Sequence, residues 1–437
     1  MKIAVIGSGI TGLSTAYYLT SRCNATVDIY ERDNDFGGLA GSFNMGNMQV
    51  DKCYHFIYTH DKHYMELLEE LALTEYLTWE KSSMGYFYNG VTHPFTTPMD
   101  ILRFKPLSFI NRMRFGLSSI YISLYKNIEK LETINNEQFL KKVAGKQPWD
   151  IIYKPMLKVK FGDNYKNIPA VWLWERIASR LKSRKGAGKD EIFGYIEGSF
   201  QRVHKKIIES IKEKGGELHL NNTITEILIE NEVCKGFIAN GKKKTYDYVF
   251  CTTPLPIFID LCKNAPKDYV NPLKKVKYDG VVILIMILKK KLSDVYWLNI
   301  SDDKIPFGGI IEHTNLFSDD SYGGKHIVYL SKYTDTDDKL FHMDEDKIRD
   351  YFLEHLSKVN KDFNENMVED WIVFRNKYGQ PIWPMQYSKF KPKFRTPVDK
   401  LYMVNTSQIY PMDRAMNYIV ELSKKAIEEF RQNELDS

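Results

Sequence analysis

The first 31 residues constrain the fold of this 437-residue chain more than any other segment. An apolar run at residues 2–6 leads into a turn with glycine at positions 7, 9 and 12, and a helical pattern follows over residues 13–21. A second apolar run at residues 27–30 then ends on Glu31. A strand, a glycine-rich turn, a helix and a second strand in this order are typical of a nucleotide-binding βαβ unit.

The glycines and the acid of this unit have separate physical roles. Gly7 permits the tight turn out of the strand, Gly9 lets the backbone approach a pyrophosphate, and Gly12 lets helix and strand pack closely. The N–H groups at the start of the helix present the positive end of the helix dipole to an anion. The Glu31 carboxylate is placed to accept hydrogen bonds from a ribose. The expected cofactor contacts in this segment are Gly7, Gly9, Ile10, Thr11, Gly12 and Glu31.

A second glycine cluster indicates which dinucleotide binds. Arg32 follows the acid, and a run of Phe-Gly-Gly-Leu-Ala-Gly-Ser has Gly37, Gly38 and Leu39 at its centre. This run resembles the second glycine cluster of the flavoproteins related to amine oxidases, phytoene desaturases and protoporphyrinogen oxidase. In that superfamily an acid followed by Gly-Gly signals FAD, so the resemblance implies FAD and adds Arg32, Gly37, Gly38 and Leu39 to its contacts. A simple turn between two strands is the alternative interpretation of the glycine pair.

The resemblance extends along the whole chain and implies further cofactor contacts. Ile224 corresponds to a strand residue that meets the adenine, and Thr252 ends a strand beside the cofactor. The superfamily usually has a Gly-Asp pair before the last helix, whereas this chain has the neutral pair Asn405-Thr406. The resemblance therefore implies that either Asn405 or Asp413 replaces the usual acid. No cysteine stands beside a Ser-Gly-Gly motif near the C-terminus, which implies that FAD is bound non-covalently.

The same resemblance divides the chain into two discontinuous parts. Residues 1–80, 191–278 and 396–437 are expected to form a Rossmann-like α/β domain that binds FAD and is assembled from separated segments. Residues 81–190 and 279–395 are expected to form an α+β substrate-binding domain with a helical lobe and a mixed sheet. The length of the chain also favours two domains.

Composition narrows the range of partners. The net charge of +5 is mild, and no compact basic tract with interleaved aromatic residues is present, so nucleic acid is not an expected partner. Five cysteines without a paired spacing indicate free thiols in a reducing compartment, and no metal site is predicted. The mild positive charge fits a small-molecule substrate that is anionic, either phosphate-bearing or lipid-linked. Nothing in the sequence indicates an oligomeric state.

Two apolar segments bear on the relation to membranes. The run at 281–288 has eight residues, far fewer than the roughly 20 that span a bilayer, and indicates a buried strand. The segment 115–125 is apolar and helical in pattern, which favours core or inter-domain packing, with a membrane-surface contact as the alternative. Because no signal-peptide pattern precedes the strand at residue 2, we expect a cytoplasmic protein. A peripheral position at the inner membrane surface is the alternative.

Four polar residues are candidates for catalysis beside the flavin that the resemblance implies. His55 follows the second cofactor segment, at a position that in the related flavoproteins often abuts the flavin. Glu312 and His313 are adjacent, and on a strand only one of them can face a cavity. Tyr410 lies in a run before the final helix that resembles the same flavoproteins. A purely structural role is the alternative for His55, and cross-strand packing is the alternative for the Glu312-His313 pair.

Three residues are candidates for binding the substrate. Arg176, Arg180 and Arg184 recur at i, i+4 and i+8 and therefore share one helix face, which is either a diphosphate site or a solvated surface. Arg375 is either a ligand for a phosphate or carboxylate, or a partner in a surface ion pair. Gln380 lies in another run that resembles the related flavoproteins. Of this group, Arg176, Arg375 and Gln380 are the expected substrate contacts.

The sequence thus predicts an FAD-dependent oxidoreductase, similar to amine oxidases, that takes a hydride from a medium-sized, anionic substrate onto flavin N5. One alternative is a flavin-dependent isomerase with no net redox change, resembling UDP-galactopyranose mutase and acting on a nucleotide sugar. The histidine-containing run at residues 55–62 is similar to a segment of that enzyme. A further alternative is a carrier that binds FAD without catalysing a reaction.

Overall fold

The computed structural model describes residues 1–183, 190–317 and 322–436. In these ranges the β-strands are β1 (Lys2–Ile6), β2 (Thr26–Tyr30), β3 (Ser42–Met45), β4 (Met48–Asp51), β5 (Ile57–Tyr58), β6 (Leu77–Lys81), β7 (Met84–Tyr88), β8 (Val91–Pro94), β9 (Ile192–Ile196), β10 (Leu218–His219), β11 (Ile224–Glu230), β12 (Val233–Ala239), β13 (Lys242–Lys244), β14 (Tyr248–Cys251), β15 (Lys277–Leu288), β16 (Trp297–Ile300), β17 (Gly309–Glu312), β18 (His326–Thr334), β19 (Val368–Ile382) and β20 (Leu401–Met403). The helices are α1 (Ile10–Cys23), α2 (Lys62–Glu70), α3 (Pro98–Arg103), α4 (Phe109–Ser123), α5 (Ile128–Thr133), α6 (Asn136–Val143), α7 (Lys146–Pro148), α8 (Lys154–Phe161), α9 (Ala170–Ser183), α10 (Gln201–Glu213), α11 (Leu255–Leu261), α12 (Lys267–Leu273), α13 (Lys339–His342), α14 (Glu345–Val359) and α15 (Met416–Glu434).

The nucleotide-binding part is built on a five-stranded parallel sheet in the order β10-β2-β1-β14-β20. Its central strand β1 is buried from Ile3 to Ile6, as expected for a parallel strand that is covered on both faces. Helix α1 packs against α15, and the hydroxyl oxygens of Ser14 and Ser423 are 2.8 Å apart in that contact. Because the strands come from distant parts of the chain, the sheet confirms a Rossmann-like fold assembled from separated segments.

The other main element is a seven-stranded mixed sheet in the order β19-β15-β18-β17-β16-β7-β8. Its buried strand β15 pairs antiparallel with both β18 and β19, and it contains the apolar run at 281–288, which confirms that run as a strand. Strands β16 and β7 are parallel, whereas the other neighbours in the sheet are antiparallel. Helices α3 to α9 follow β8, so the expected combination of a mixed sheet and a helical lobe is present.

Helix α1 extends beyond the helical pattern at residues 13–21, since it spans Ile10–Cys23. Residues 81–190 contain more than a helical lobe, because their first part forms β7 and β8, which extend the large sheet. Strand β6 contains the expected boundary after residue 80 and pairs with β9 of the same expected domain, and the positions of the boundaries stay a prediction.

The apolar segment expected at 115–125 belongs to α4, which begins earlier, at Phe109. Within the described ranges, no helix is long and apolar enough to cross a bilayer. All five cysteines are free thiols, as their spacing indicates.

Candidate active site

The turn between β1 and α1 is tight because two glycines pack against each other. Gly7 has a φ of +102°, and its N–H donates a hydrogen bond of 2.8 Å to the carbonyl of Tyr30. A Cβ on Gly12 would lie 1.9 Å from the carbonyl oxygen of Gly7, so no larger residue fits there. The packing of this turn is therefore the reason for glycine at positions 7 and 12.

The second glycine cluster folds back onto this turn. Gly37 and Gly38 have φ values of +99° and +58°, and Gly37 forms a parallel bridge with Gly9. A Cβ on Gly38 would lie 3.2 Å from the Cα of Gly9, whereas a Cβ on Gly9 would meet no protein atom within 4 Å. Gly9 therefore faces open space at the N-terminus of α1, beside the loop that contains Leu39. We call this arrangement the glycine cradle.

The N-terminus of α1 offers hydrogen-bond donors to an anion. Its N-cap residue is Gly9, which has no side chain to accept from the first N–H groups, and those of Ile10 and Thr11 have no partner within the helix. Glu31 lies after the end of β2, where its Oε2 accepts hydrogen bonds from the N–H and the hydroxyl of Ser8, both 2.8 Å long. Ser8 thereby holds a carboxylate acceptor next to Gly9.

Two other expected contacts lie at the carboxyl edge of the parallel sheet. Thr252 follows β14, and its hydroxyl donates a hydrogen bond of 2.8 Å to the carbonyl of Ile6. Asn405 follows β20, and its Oδ1 accepts hydrogen bonds from the N–H and hydroxyl of Ser407, at 3.0 and 2.6 Å. The Asn405 Nδ2 is buried without a hydrogen-bond partner among the described residues, which leaves a donor for a ligand.

Two other expected contacts gain no direct support from the structure. Ile224 is the first residue of β11, in a separate antiparallel sheet, and its contact with adenine stays a prediction. The Arg32 side chain is 64% exposed and pairs with Asp33, so the structure gives no support for a cofactor contact through its guanidinium.

Side chains from three distant parts of the chain meet in one cluster. Lys160 of α8, Arg176 of α9 and the pair Asp413 and Arg414 before α15 form what we call the cationic cluster. The Nη2 of Arg176 lies 2.8 Å from Oδ2 of Asp413, and the Nη1 of Arg414 lies 4.0 Å from its Oδ1. Arg414 also donates a hydrogen bond of 2.8 Å to the Tyr333 hydroxyl, and the Nζ of Lys160 lies 3.6 Å from the centre of that ring.

The cationic cluster is enclosed by protein and yet accessible, as expected for side chains that line a cavity. Arg176 and Arg414 each keep 21% of their side-chain surface accessible, and Asp413 keeps 39%. Tyr54 is an aromatic part of the same region, since its hydroxyl lies 2.9 Å from the Ser331 hydroxyl and it is close to Arg414. The Tyr54 ring in turn meets a tryptophan ring edge to face, with 5.0 Å between the ring centres.

The neighbouring charges set the protonation of this cluster. Burial, together with Arg414 and Arg176, lowers the pKa of Lys160 well below its usual value. Burial pushes the pKa of Asp413 upward, but Arg176, Arg414 and Lys160 outweigh it and lower that pKa. Asp413 therefore stays ionised at neutral pH, whereas Lys160 releases its proton more readily than an ordinary lysine.

His55 lies in the loop between β4 and β5, close to both the cationic cluster and the glycine cradle. Its Nδ1 is 2.9 Å from the carbonyl oxygen of Cys53, which can only accept, so Nδ1 carries the hydrogen and Nε2 is an acceptor. Burial, and then Arg414, lowers the pKa of His55 to about 4, which keeps the ring neutral at pH 7. On the other side His55 is close to His204, whose Nδ1 would lie 2.9 Å from a Cβ on Gly37.

Glu312 and His313 are both buried and hydrogen-bonded, which gives no support to the expectation that one of them faces the substrate. Strand β17 ends at Glu312, so the alternation of a strand does not extend to His313. The Glu312 carboxylate accepts hydrogen bonds from the N–H groups of Leu292 and Ser293, at 2.8 and 2.7 Å, and so closes a turn. His313 is buried in an aromatic core, where its Nε2 lies 3.0 Å from the Tyr322 hydroxyl.

Arg375 and Tyr410 are also engaged in structural contacts. The Nη1 of Arg375 donates hydrogen bonds to the carbonyls of Phe341 and Met343, at 3.2 and 2.9 Å, and ties β19 to the segment before α14. The Tyr410 ring packs edge to face on Trp383, and burial raises the pKa of its hydroxyl. The contacts of Arg375 occupy its guanidinium and give no support to the expected anion-binding role. The catalytic role expected for Tyr410 stays a prediction, because its hydroxyl is buried without a hydrogen-bond partner among the described residues.

The arginines expected on one helix face have different environments. Arg176 belongs to the cationic cluster and stacks on Trp172, with 3.7 Å from the guanidinium carbon to the ring centre. Arg180 is half-buried, and Glu191 is its main stabilising charge. Arg184 lies outside the described residues. The structure thus places Arg176 in the cationic cluster, and its role as a substrate contact stays a prediction.

Gln380 is buried and does not line the cavity, but it contacts two residues at the cationic cluster. Its Nε2 donates hydrogen bonds to the backbone carbonyl of Lys160 and to Oδ2 of Asp279, both 3.3 Å long. Lys160 itself escaped the sequence analysis because it resembles Lys158 on the same helix, which pairs with a surface aspartate. Arg414 lies in the same run before the final helix as Tyr410, but no role was predicted for it. Only the fold distinguishes these two cations from other surface charges.

The fold and the site together define a dinucleotide-dependent enzyme, because the glycine cradle at the edge of a parallel sheet adjoins an aromatic and cationic cavity. A sequence profile of the family described as flavin containing amine oxidoreductase matches residues 10–412. The chain therefore belongs to the flavin-containing amine oxidoreductase family and is an FAD-dependent oxidoreductase.

The chain is also similar to curated proteins of this superfamily. It is 21% identical over 317 residues to coproporphyrinogen III oxidase of Staphylococcus aureus, and the alignment covers 64% of this chain and 67% of that protein. Phytoene desaturases and a protoporphyrinogen oxidase are among the other relatives. The chain spans between 52% and 68% of the length of these curated proteins.

Solved structures show the same fold over almost the whole chain. A crystal structure described as a putative protoporphyrinogen oxidase from Exiguobacterium has a TM-score of 0.79 at 16% identity, covering 99% of both chains. Reduced UDP-galactopyranose mutase has a TM-score of 0.74 at 18% identity, covering 99% of this chain and 96% of that one. At these identities the similarity establishes the fold.

The residues of the glycine cradle fit an adenine dinucleotide. The free N–H groups of α1 and the Asn405 amide are donors for phosphate or hydroxyl oxygens, and Glu31 is an acceptor for a ribose. The open space at Gly9 lets a pyrophosphate approach the backbone. Asp413, by contrast, is paired with Arg176 in the cavity, so Asn405 is better placed than Asp413 to replace the usual acid.

Proposed function

We propose that this enzyme binds FAD non-covalently and oxidises a medium-sized anionic substrate. The flavin, when bound, supplies the acceptor for a hydride at N5, and the protein supplies orientation and electrostatics. The observation that carries the proposal is the cationic cluster, in which Lys160, Arg176 and Arg414 meet beside the glycine cradle.

The charge balance at the cavity surface favours an anion. Two guanidinium groups, those of Arg176 and Arg414, face one ionised carboxylate, Asp413, and Lys160 adds a further positive charge only while it is protonated. Two other acids, Glu175 and Asp279, are buried behind this surface, and burial raises the pKa of both, which reduces their negative charge. A phosphate or carboxylate in the cavity would restore neutrality, and Arg414 has the planar donor geometry that binds such groups.

Lys160 is the proposed base that accepts a proton from the substrate. Its lowered pKa makes the neutral amine available, and Gln380 fixes the backbone of its helix turn through the hydrogen bond to the Lys160 carbonyl. His55 stays neutral, so its Nε2 orients a substrate hydroxyl or amine by accepting a hydrogen bond. The rings of Tyr54, Trp297 and Tyr333 limit the access of water to these groups.

Replacing Lys160 with methionine should slow flavin reduction by about 10²–10⁴-fold in the presence of a reducing substrate. In the wild type the neutral amine is the active form, so the rate should rise with pH through a pKa well below 10.5 and then level off. The Lys160→Met variant should lack this rising limb. Lys158→Met, on the exposed side of the same helix, is the control. It should keep both the wild-type rate of flavin reduction and the rise of that rate with pH. An unchanged pH profile in Lys160→Met would exclude Lys160 as the base.

Replacing Glu31 with alanine should weaken FAD binding by roughly 1.5–3 kcal/mol, the usual contribution of a hydrogen bond to a charged group. Glu31→Gln keeps one acceptor oxygen for Ser8 and should weaken binding less. Titration of the apoprotein with FAD, followed by flavin fluorescence, measures both dissociation constants. Equal affinity in Glu31→Ala and the wild type would remove Glu31 from the cofactor site.

A net non-redox isomerase similar to UDP-galactopyranose mutase is the second candidate, since the cationic cluster also suits the diphosphate of a nucleotide sugar. Anaerobic visible spectroscopy separates the two. A small-molecule and lipid extract of the host should bleach the bound flavin if the protein is an oxidoreductase. A flavin that stays oxidised, together with turnover only after chemical reduction, supports the isomerase. A flavin that no extract reduces, without turnover in either state, supports a carrier.

A further inference from the structure

Helix α4 carries large apolar side chains on its solvent side. Only Phe115, Ser118 and Ile122 of this helix are buried, whereas Ile110, Leu117 and Leu124, the last at its C-terminal end, are 78%, 64% and 70% exposed. Phe115 and Ile122 pack on the core in the usual way, but large apolar side chains also occupy the outward side, which is normally polar. The exposed residues Ile110, Met113, Leu117, Ile120, Tyr121 and Leu124 are called the apolar stripe below.

The apolar stripe is continuous along the helix. Its members are three or four residues apart, or adjacent to such a position, and therefore lie on one side of α4 over about 20 Å. Among the described residues, nine of the fourteen exposed large apolar side chains fall within residues 99–124. The stripe is thus a concentrated surface, and isolated apolar residues, which are normal on any protein, do not account for it.

The surroundings of the apolar stripe are basic. Residues 99–126 contain five arginines or lysines and one acid, Asp100. The Asp100 carboxylate is occupied by the N–H groups of Thr96 and Thr97 at the start of α3. Arg103 and Lys105, by contrast, are exposed beside the N-terminus of α4. The surface therefore combines apolar side chains with a local excess of positive charge.

We infer that α4 lies in the interface of a bilayer that contains anionic lipid, with the apolar stripe among the acyl chains and the flanking basic residues at the phosphates. A helix with a long apolar face and basic flanks has the properties of an interfacial membrane helix. Charge argues against a second copy of this chain as the occupant, because a symmetric contact through the stripe would bring the basic residues of both copies together. The inference concerns a surface outside the cavity and is independent of the reaction.

Vesicle sedimentation of the flavin-loaded protein tests this inference. The wild type should bind vesicles made of equal parts phosphatidylcholine and phosphatidylglycerol, and bind pure phosphatidylcholine less well. The double variant Ile110→Ser, Leu117→Ser should lower the partition coefficient about tenfold or more, since two large apolar side chains are lost from the interface. The pair Arg103→Gln, Lys105→Gln should weaken binding about fivefold for each charge, and only for the anionic vesicles.

The matched control is Tyr351→Ser with Leu435→Ser, two exposed apolar residues on α14 and after α15. This control should bind vesicles as the wild type does. Flavin content and thermal unfolding establish that every variant is folded. The inference is wrong if the wild type does not sediment with anionic vesicles, or if the serine variant of the stripe sediments equally. A concentration-dependent dimer that the stripe variant abolishes, without vesicle binding, would assign the surface to a second copy.

Discussion

Replacing Gly9 with valine is expected to abolish flavin binding and to leave the apoprotein folded. The backbone at Gly9 has φ and ψ of −64° and 170°, an extended conformation that valine adopts without strain. A Cβ there would meet no protein atom within 4 Å, so the added methyl groups project into the open space of the glycine cradle. The dissociation constant for FAD should rise about a hundredfold or more, or roughly 2.7 kcal/mol. Flavin absorbance of the purified protein and titration of the apoprotein measure this change.

Two other glycines provide the controls. Gly116→Val adds the same side chain in α4, where a Cβ also meets no protein atom within 4 Å, and it should retain flavin. Gly12→Ala should lose both flavin and stability, because its Cβ would lie 1.9 Å from the carbonyl oxygen of Gly7. If Gly9→Val is purified yellow with an unchanged dissociation constant, the turn after β1 is not the pyrophosphate site.

Replacing Arg414 with methionine is expected to weaken anion binding in the cavity by about 10–150-fold, or roughly 1.5–3 kcal/mol for a hydrogen bond to a charged group. Arg414 is less neutralised than Arg176, because its distance to the Asp413 carboxylate is 4.0 Å and that of Arg176 is 2.8 Å. Inorganic diphosphate is a suitable probe. Its titration into the oxidised holoenzyme should perturb the visible flavin spectrum, and the variant should require a correspondingly higher concentration.

Arg375→Met is the matched control for Arg414→Met. Both changes remove one guanidinium, but that of Arg375 is bound to the carbonyls of Phe341 and Met343 and to Glu345. The control should therefore bind diphosphate as the wild type does. If Arg375→Met weakens binding as much as Arg414→Met, the effect is a general loss of positive charge. A wild-type spectrum that diphosphate does not change would contradict the assignment of the cavity as an anion site.

The glycine cradle was predictable because its contacts are local in sequence. The turn at Gly7 and Gly12 and the carboxylate of Glu31 belong to one βαβ unit, whose geometry follows from its strand, turn and helix pattern. Asn405 was predictable only through the resemblance, since it lies far from that unit along the chain. Its unpartnered Nδ2 is the structural reason to prefer it over Asp413 as a cofactor contact.

The residues of the cavity could not be derived in the same way. The cationic cluster forms where α8, α9 and the segment before α15 meet, and no local pattern distinguishes Lys160 from Lys158. Arg176 was proposed from its helical spacing, yet its role depends on Asp413, which is more than two hundred residues away in the chain. The expectation that strand alternation turns only one of Glu312 and His313 to a cavity does not apply, because β17 ends between them.

The apolar segment at 115–125, most of which lies in α4, shows how the environment decides between two interpretations of one pattern. The sequence favoured burial of residues 115–125 against the core. In the structure Phe115 and Ile122 are buried, whereas Leu117, Ile120 and Tyr121 between them face outward. A membrane contact is the proposed explanation of why these outward side chains are exposed.

The central claim is that this flavoenzyme oxidises an anionic substrate, and anaerobic reduction of its flavin by a fractionated extract tests it most directly. Anion exchange divides the extract of host small molecules and lipids into a retained and an unretained fraction. Visible absorbance of the holoenzyme is then recorded with each fraction in the absence of oxygen. The account predicts that the retained fraction bleaches the flavin of the wild type rapidly and that of Lys160→Met slowly. Bleaching by the unretained fraction alone, or by neither fraction, would contradict it.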